Sequence, residues 1–92
     1  MEKFIFAFTT IDDIPVVAIA YKSDWEKFGY CSDFYTEEDW EILTPLLENE
    51  LGMGELMECH WEYNRPMEEI QEALVKAGMT RDAAFEEFEQ SF

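Results

Sequence analysis

A two-residue period of large rings opens the chain. Lys3-Phe-Ile-Phe-Ala-Phe-Thr9 sets Phe4, Phe6 and Phe8 on one face by the two-residue period of a strand. Pro15-Val-Val-Ala-Ile-Ala-Tyr21 is apolar on both faces and rich in β-branched residues, as suits a strand covered on both sides. Between them, Thr10-Ile-Asp-Asp-Ile14 has the content of a hairpin connection.

Lys22 to Tyr35 mixes Trp25, Phe28, Tyr30, Phe34 and Tyr35 with Asp24, Glu26 and Asp33, and Gly29 interrupts it. This stretch reads as a loop with a short helical turn. Thr36-Glu-Glu-Asp39 reads as a helix start, a Thr cap followed by carboxylates facing the positive end of the helix dipole. Trp40, Leu43, Leu47 and Leu51 then form a core stripe. Pro45 predicts a kink or a break into two short helices, with a stop at Gly52.

Glu55 to Tyr63 alternates, with Met57, Cys59, Trp61 and Tyr63 on one face and Glu58, His60 and Glu62 on the other, which predicts one half-buried strand. Asn64 and Pro66 initiate a helix with Met67, Ile70, Leu74 and Ala77 inward, ending at Gly78. Thr80 is expected to cap a last helix in which Phe85, Phe88 and Phe92 share a side. The order ββαβαα predicts an α+β fold in a single domain, residues 1–92. Its antiparallel sheet has about three strands, the N-terminal hairpin plus one later strand, packed against two to four short helices. No repeat or linker interrupts it.

Charge changes this picture. The 92 residues carry 22 Asp and Glu against 6 Lys and Arg, a net charge of −16. Such a chain is not a direct binder of nucleic acid or anionic lipid through a basic surface. It is not a disordered acidic tail either, because 48% of its residues are hydrophobic and 16% aromatic. Halophilic adaptation fits poorly, since it favours Asp and thins out large apolar residues, whereas Glu and aromatics prevail here. The apolar run after Met1 is too short for a secretory signal, and no run approaches the roughly 20 residues that span a bilayer. Cys31 and Cys59 form no CxxC, and reduced thiols in a cytoplasmic protein are the expectation.

Candidate chemistry is sparse. The one His and the absence of GxSxG or Gly-rich phosphate motifs leave little for catalysis. Glu58-x-His60-x-Glu62 is the one ligand-like cluster, an imidazole between carboxylates that suits Zn²⁺ or Mn²⁺. A solvated sheet face that contains a histidine accounts for it more simply, so neither metal nor cofactor is expected.

The carboxylates themselves form rows. Glu37, Glu41 and Glu48 align across from the Trp40 stripe, with Glu38 beside them. Glu68, Glu69 and Glu72 share the next helix, and Asp82, Glu86 and Glu89 repeat on the last. Carboxylates at i and i+4 lie about 6 Å apart along a helix, close to the phosphate spacing of about 7 Å along one nucleic-acid strand.

In composition and size the chain resembles the small acidic DNA-mimic proteins that phages and mobile elements use against restriction or CRISPR machinery. It is also similar in character to acidic immunity proteins and antitoxins that neutralise basic nucleases. That likeness transfers no residue. It implies a non-enzymatic inhibitor or decoy whose partner is a basic nucleic-acid-binding protein or nuclease. Glu37, Glu38, Glu41 and Glu48, with Asp82, Glu86 and Glu89, would make the contact, and exposed Trp25, Tyr30 and Tyr35 would anchor it. The alternatives are a metal-dependent enzyme or sensor on Glu58, His60 and Glu62, and a small acidic adaptor unrelated to nucleic acid.

Overall fold

The computed structural model describes residues 3–30 and 35–91. Expectations for Met1, Glu2, Cys31, Asp33, Phe34 and Phe92 lie outside these residues. Strands β1 (Phe4–Ile11) and β2 (Ile14–Tyr21) form the expected hairpin, in register from Phe4 opposite Tyr21 to Ile11 opposite Ile14. Its two-residue turn places Asp12 at φ 50° and Asp13 at φ 67°. Positive φ at both positions matches the right-handed twist of the flanking strands, and Asp tolerates it because its short side chain can bond locally.

Helix α1 (Lys22–Phe28) follows directly, a longer helix than the expected turn, and ends on Gly29 in the left-handed region. Helix α2 (Glu37–Thr44) begins where expected, with the Asp39 amide donating to Thr36 Oγ1 at 3.2 Å. At Pro45 the helix neither breaks nor stops. It widens into a π-helical segment, Pro45–Glu50, in which the Leu51 amide donates to the Leu46 carbonyl at 3.0 Å. Proline has no N–H to donate to Glu41, and its ring crowds that carbonyl; a wider turn accommodates both. Gly52, at φ 65°, then closes the helix as expected, with the Met53 amide donating to the Leu47 carbonyl at 2.8 Å.

The alternating stretch is two strands rather than one. β3 (Gly54–Met57) turns through Glu58 and Cys59, the latter at φ 62°, into β4 (His60–Glu62), with a register irregularity between Glu55 and Met57. Helix α3 (Met67–Lys76) buries Ile70 and Leu74. Thr80 caps no helix, contrary to expectation. Thr80 and Arg81 form a fifth strand, β5, parallel to β1 beside Ile5 and Phe6, and Asp82 caps α4 (Ala83–Gln90) instead. The α+β class is as expected, but the sheet is mixed and five-stranded, in the order β3-β4-β2-β1-β5.

The sheet is covered on both faces. Phe4, Phe6, Phe8, Val17, Ile19 and Trp61 pack against Leu43, Leu47, Ile70 and Leu74 from α2, the π-helical segment and α3. On the opposite face Ile5, Ala7, Ala18 and Ala20 meet Trp25, Phe85 and Phe88 from α1 and α4. Three alanines leave room there for the bulky rings of the helices, so large side chains oppose small ones across the layer boundary.

Candidate functional site

The Thr36 cap sorts the first turn of α2 into one buried carboxylate and two exposed ones. Asp39 is fully buried. It accepts from Tyr21 Oη at 2.6 Å, Lys3 Nζ at 2.8 Å and Thr36 Oγ1 at 3.0 Å. Burial alone would raise its pKa, but these three donors outweigh burial and hold the carboxyl below its ordinary range. Burial and the same bond push Tyr21 up. Sequence reasoning placed Asp39 with its acidic neighbours; only tertiary packing distinguishes it.

Glu37, Glu38 and Glu41 point to solvent, as does Glu48 on the π-helical segment. The row read from the sequence requires one continuous α-helical period through Glu48, and the π-helical segment after Pro45 interrupts that period. Glu68, Glu69 and Glu72 of α3 are also exposed. An open groove of about 490 Å³ runs between the π-helical segment and α3. Leu46, Leu51, Ala73 and Ala77 contribute its apolar lining, and Glu50, Glu69 and Glu72 stand with Arg65 and Lys76 around it.

The third predicted row is arranged differently, because its members are engaged inside the fold. Asp82 accepts the Phe85 amide at 2.8 Å as the cap of α4. Glu86 takes both Nε and Nη2 of Arg81 at 2.8 Å, and its Oε1 also accepts the Phe8 amide at 3.1 Å. The Arg81 bonds hold Glu86 below its ordinary pKa against the effect of partial burial. Arg81 also lies over the Phe8 ring, 4.9 Å from its centroid, and reaches Gln71. Glu89 is bonded to His60 Nε2 at 2.7 Å, while His60 Nδ1 lies 2.6 Å from the Glu58 carbonyl. Both ring nitrogens face acceptors, which suits the imidazolium. Burial works against that charge, but the bonds to Glu89 and Glu58 prevail and raise the His60 pKa.

Glu58, His60 and Glu62 accordingly do not converge. Glu58 lies in the turn, Glu62 is exposed, and His60 is held by Glu89 from α4. Among the described residues no three His, Cys, Asp or Glu side chains are grouped to hold a metal ion.

The aromatic anchors divide too. Tyr35 is buried, stacked on Trp61 at 5.6 Å and edge-on to Trp40 at 5.2 Å, with its hydroxyl donating to the Ile19 carbonyl. Trp25 is half-buried between Phe85 and Phe88. Only Tyr30 matches the expectation of an exposed ring, at 51% exposure, and it pairs with exposed Phe28 at 5.8 Å.

The arrangement defines a three-layer α+β domain with exposed carboxylates on its outer helices. Comparison with protein-family models, with curated proteins and with solved structures finds no match to this chain. No helix among the described residues is long and apolar enough to cross a membrane.

Proposed function

We propose that the chain is a non-enzymatic acidic binding protein that occupies the nucleic-acid-binding surface of a basic partner, as a decoy for the phosphate backbone. The observation that carries this reading is the outer surface of the α2 to α3 layer. It bears exposed Glu37, Glu38, Glu41 and Glu48, and an apolar-lined groove at which Glu50, Glu69 and Glu72 stand with Arg65 and Lys76. Surface helices ordinarily interleave Lys with Glu at i+4 and gain a few tenths of a kcal/mol per pair. α2 and the π-helical segment contain no Lys or Arg, and the α3 side has Arg65 paired with Glu69 at 3.3 Å and Lys76 four residues after Glu72. The carboxylates in excess of these bear a standing repulsion that a Lys- and Arg-lined channel would relieve. Tyr30 and Phe28 form an exposed aromatic pair at the end of α1, whose Trp25 packs on the other face of the sheet, so they are a separate contact surface from these carboxylates.

The test combines affinity capture of the partner with competition by an oligonucleotide. Captured partner should lose nucleic acid as the protein is added, and binding should weaken as salt rises. Reversal of Glu37, Glu41 and Glu48 to Lys should cost at least about tenfold in affinity, about 1.4 kcal/mol, while the fold persists. Simultaneous binding of protein and oligonucleotide, with an unchanged affinity for the triple reversal, would exclude the decoy reading.

A further inference from the structure

The two edges of the sheet are finished differently. Beyond the short β5, the edge of β1 is closed by side chains of α4: Glu86 accepts the Phe8 amide, and Gln90 Nε2 donates to the Phe8 carbonyl at 3.0 Å. At the other end of the sheet order, β3 pairs with β4 and, among the described residues, with no further strand. All four of its residues are exposed, Leu56 at 40% and Met57 at 51%, and the space over Gly54 is open. Exposed Glu55 stands on the same strand, Glu58 in the turn that follows, and Glu62 on β4 opposite Gly54.

We infer that the outer edge of β3 is a docking strand for an extended basic segment of the partner, which adds to the sheet as a sixth strand. Main-chain hydrogen bonds to the open edge would supply affinity, and alternate side chains of the incoming strand would supply selectivity. Charge complementarity identifies the occupant. Two copies of this chain paired through β3 would set Glu55 and Glu58 near their equivalents, and like charges across a strand pair are destabilising. The acidic side chains that keep a second copy away attract a strand that alternates Lys or Arg with β-branched residues. Leu56 and Met57 give that strand's apolar side chains a surface to cover.

This inference rests on the reading that the partner is basic, but its test needs no partner in hand. A short peptide alternating Lys with Val and Thr is added to the full chain, and amide hydrogen exchange is followed residue by residue. Amides of residues 54–57 should exchange about tenfold more slowly with the peptide present. The same peptide with Glu in place of Lys should do nothing. Glu55→Lys, at an exposed position, should weaken the peptide about tenfold, and Glu41→Lys should leave it unchanged. Protection confined to α2 and α3, or no binding, would overturn the docking strand. In the first case the carboxylate surface would keep its proposed role. Protection of β3 in the free protein that grows with concentration would overturn it as well, by showing that a second copy is the occupant.

Discussion

Asp39 carries its charge where solvent does not reach, and three donors stand in for the lost water. Asp39→Asn removes the negative charge and turns part of the acceptor group into a donor facing Tyr21, Thr36 and Lys3. A loss of about 2–3 kcal/mol is expected from the bonds left unmade in a buried site, read as a lower urea midpoint with an unchanged slope. In the wild type the same group makes stability fall in acid: its folded pKa is depressed, so its contribution is present above the unfolded value and lost as pH falls through the folded one. His60 runs the other way. Its folded pKa is raised above 6.5, so the His60–Glu89 bond stabilises fully below about 6.5 and is lost as pH climbs through the folded value. Urea midpoints should drop between pH 6 and the alkaline side of neutrality, and His60→Gln should flatten that drop. An unchanged slope in the variant would place the titration elsewhere.

Among the elements, α4 does two things at once. Its rings fill the alanine-lined face of the sheet, and its carboxylates close the β1 edge. Glu86→Ala should release the Phe8 amide and leave Arg81 without its forked partner, at a cost of about 1–3 kcal/mol. Exchange at Phe8 should accelerate while that at Phe6 holds, since Phe6 stays within the β1–β2–β5 ladder. This role was not legible in the sequence, where Glu86 and Glu89 read as one solvated row. Their engagement follows from Arg81, five residues before Glu86 but set on the edge strand β5, and from His60, 29 residues before Glu89. The β1–β2 hairpin and the Leu43, Leu47, Leu51 stripe were legible because each repeats its period several times. β5 was not, because two residues carry no period. The β3–β4 turn was masked differently: Met57, Cys59 and Trp61 keep an apolar alternation running through a two-residue turn that contains no Gly, Pro, Asn or Asp.

Across the domain as a unit, −16 on 92 residues makes repulsion a property of every conformation with its acids close together. Two charges about 7 Å apart in water repel by only ~0.6 kcal/mol, but the compact state holds many such pairs. Salt near 0.15 M shortens their reach to about 8 Å, so the melting temperature should rise as NaCl is added from low ionic strength. A falling melting temperature would mean that the engaged carboxylates, Asp39, Glu86 and Glu89, outweigh the exposed ones. The class of the fold could be read before the structure; the exact sheet could not, since the strand that completes it is defined by its neighbour β1 rather than by its own residues. That neighbour relation also orders events in time. Ile5 meets Thr80, and Phe8 meets Glu86 and Gln90, across most of the chain, whereas β1 meets β2 through a two-residue turn. The hairpin can close in about 1–10 μs, but its alanine face, met nearby by Trp25 of α1, lacks Phe85 and Phe88 until α4 returns to it. The late, non-local closure sets the pace, and until it occurs the nascent domain is a hairpin with one apolar side incompletely covered, open to aggregation and to capture by chaperones.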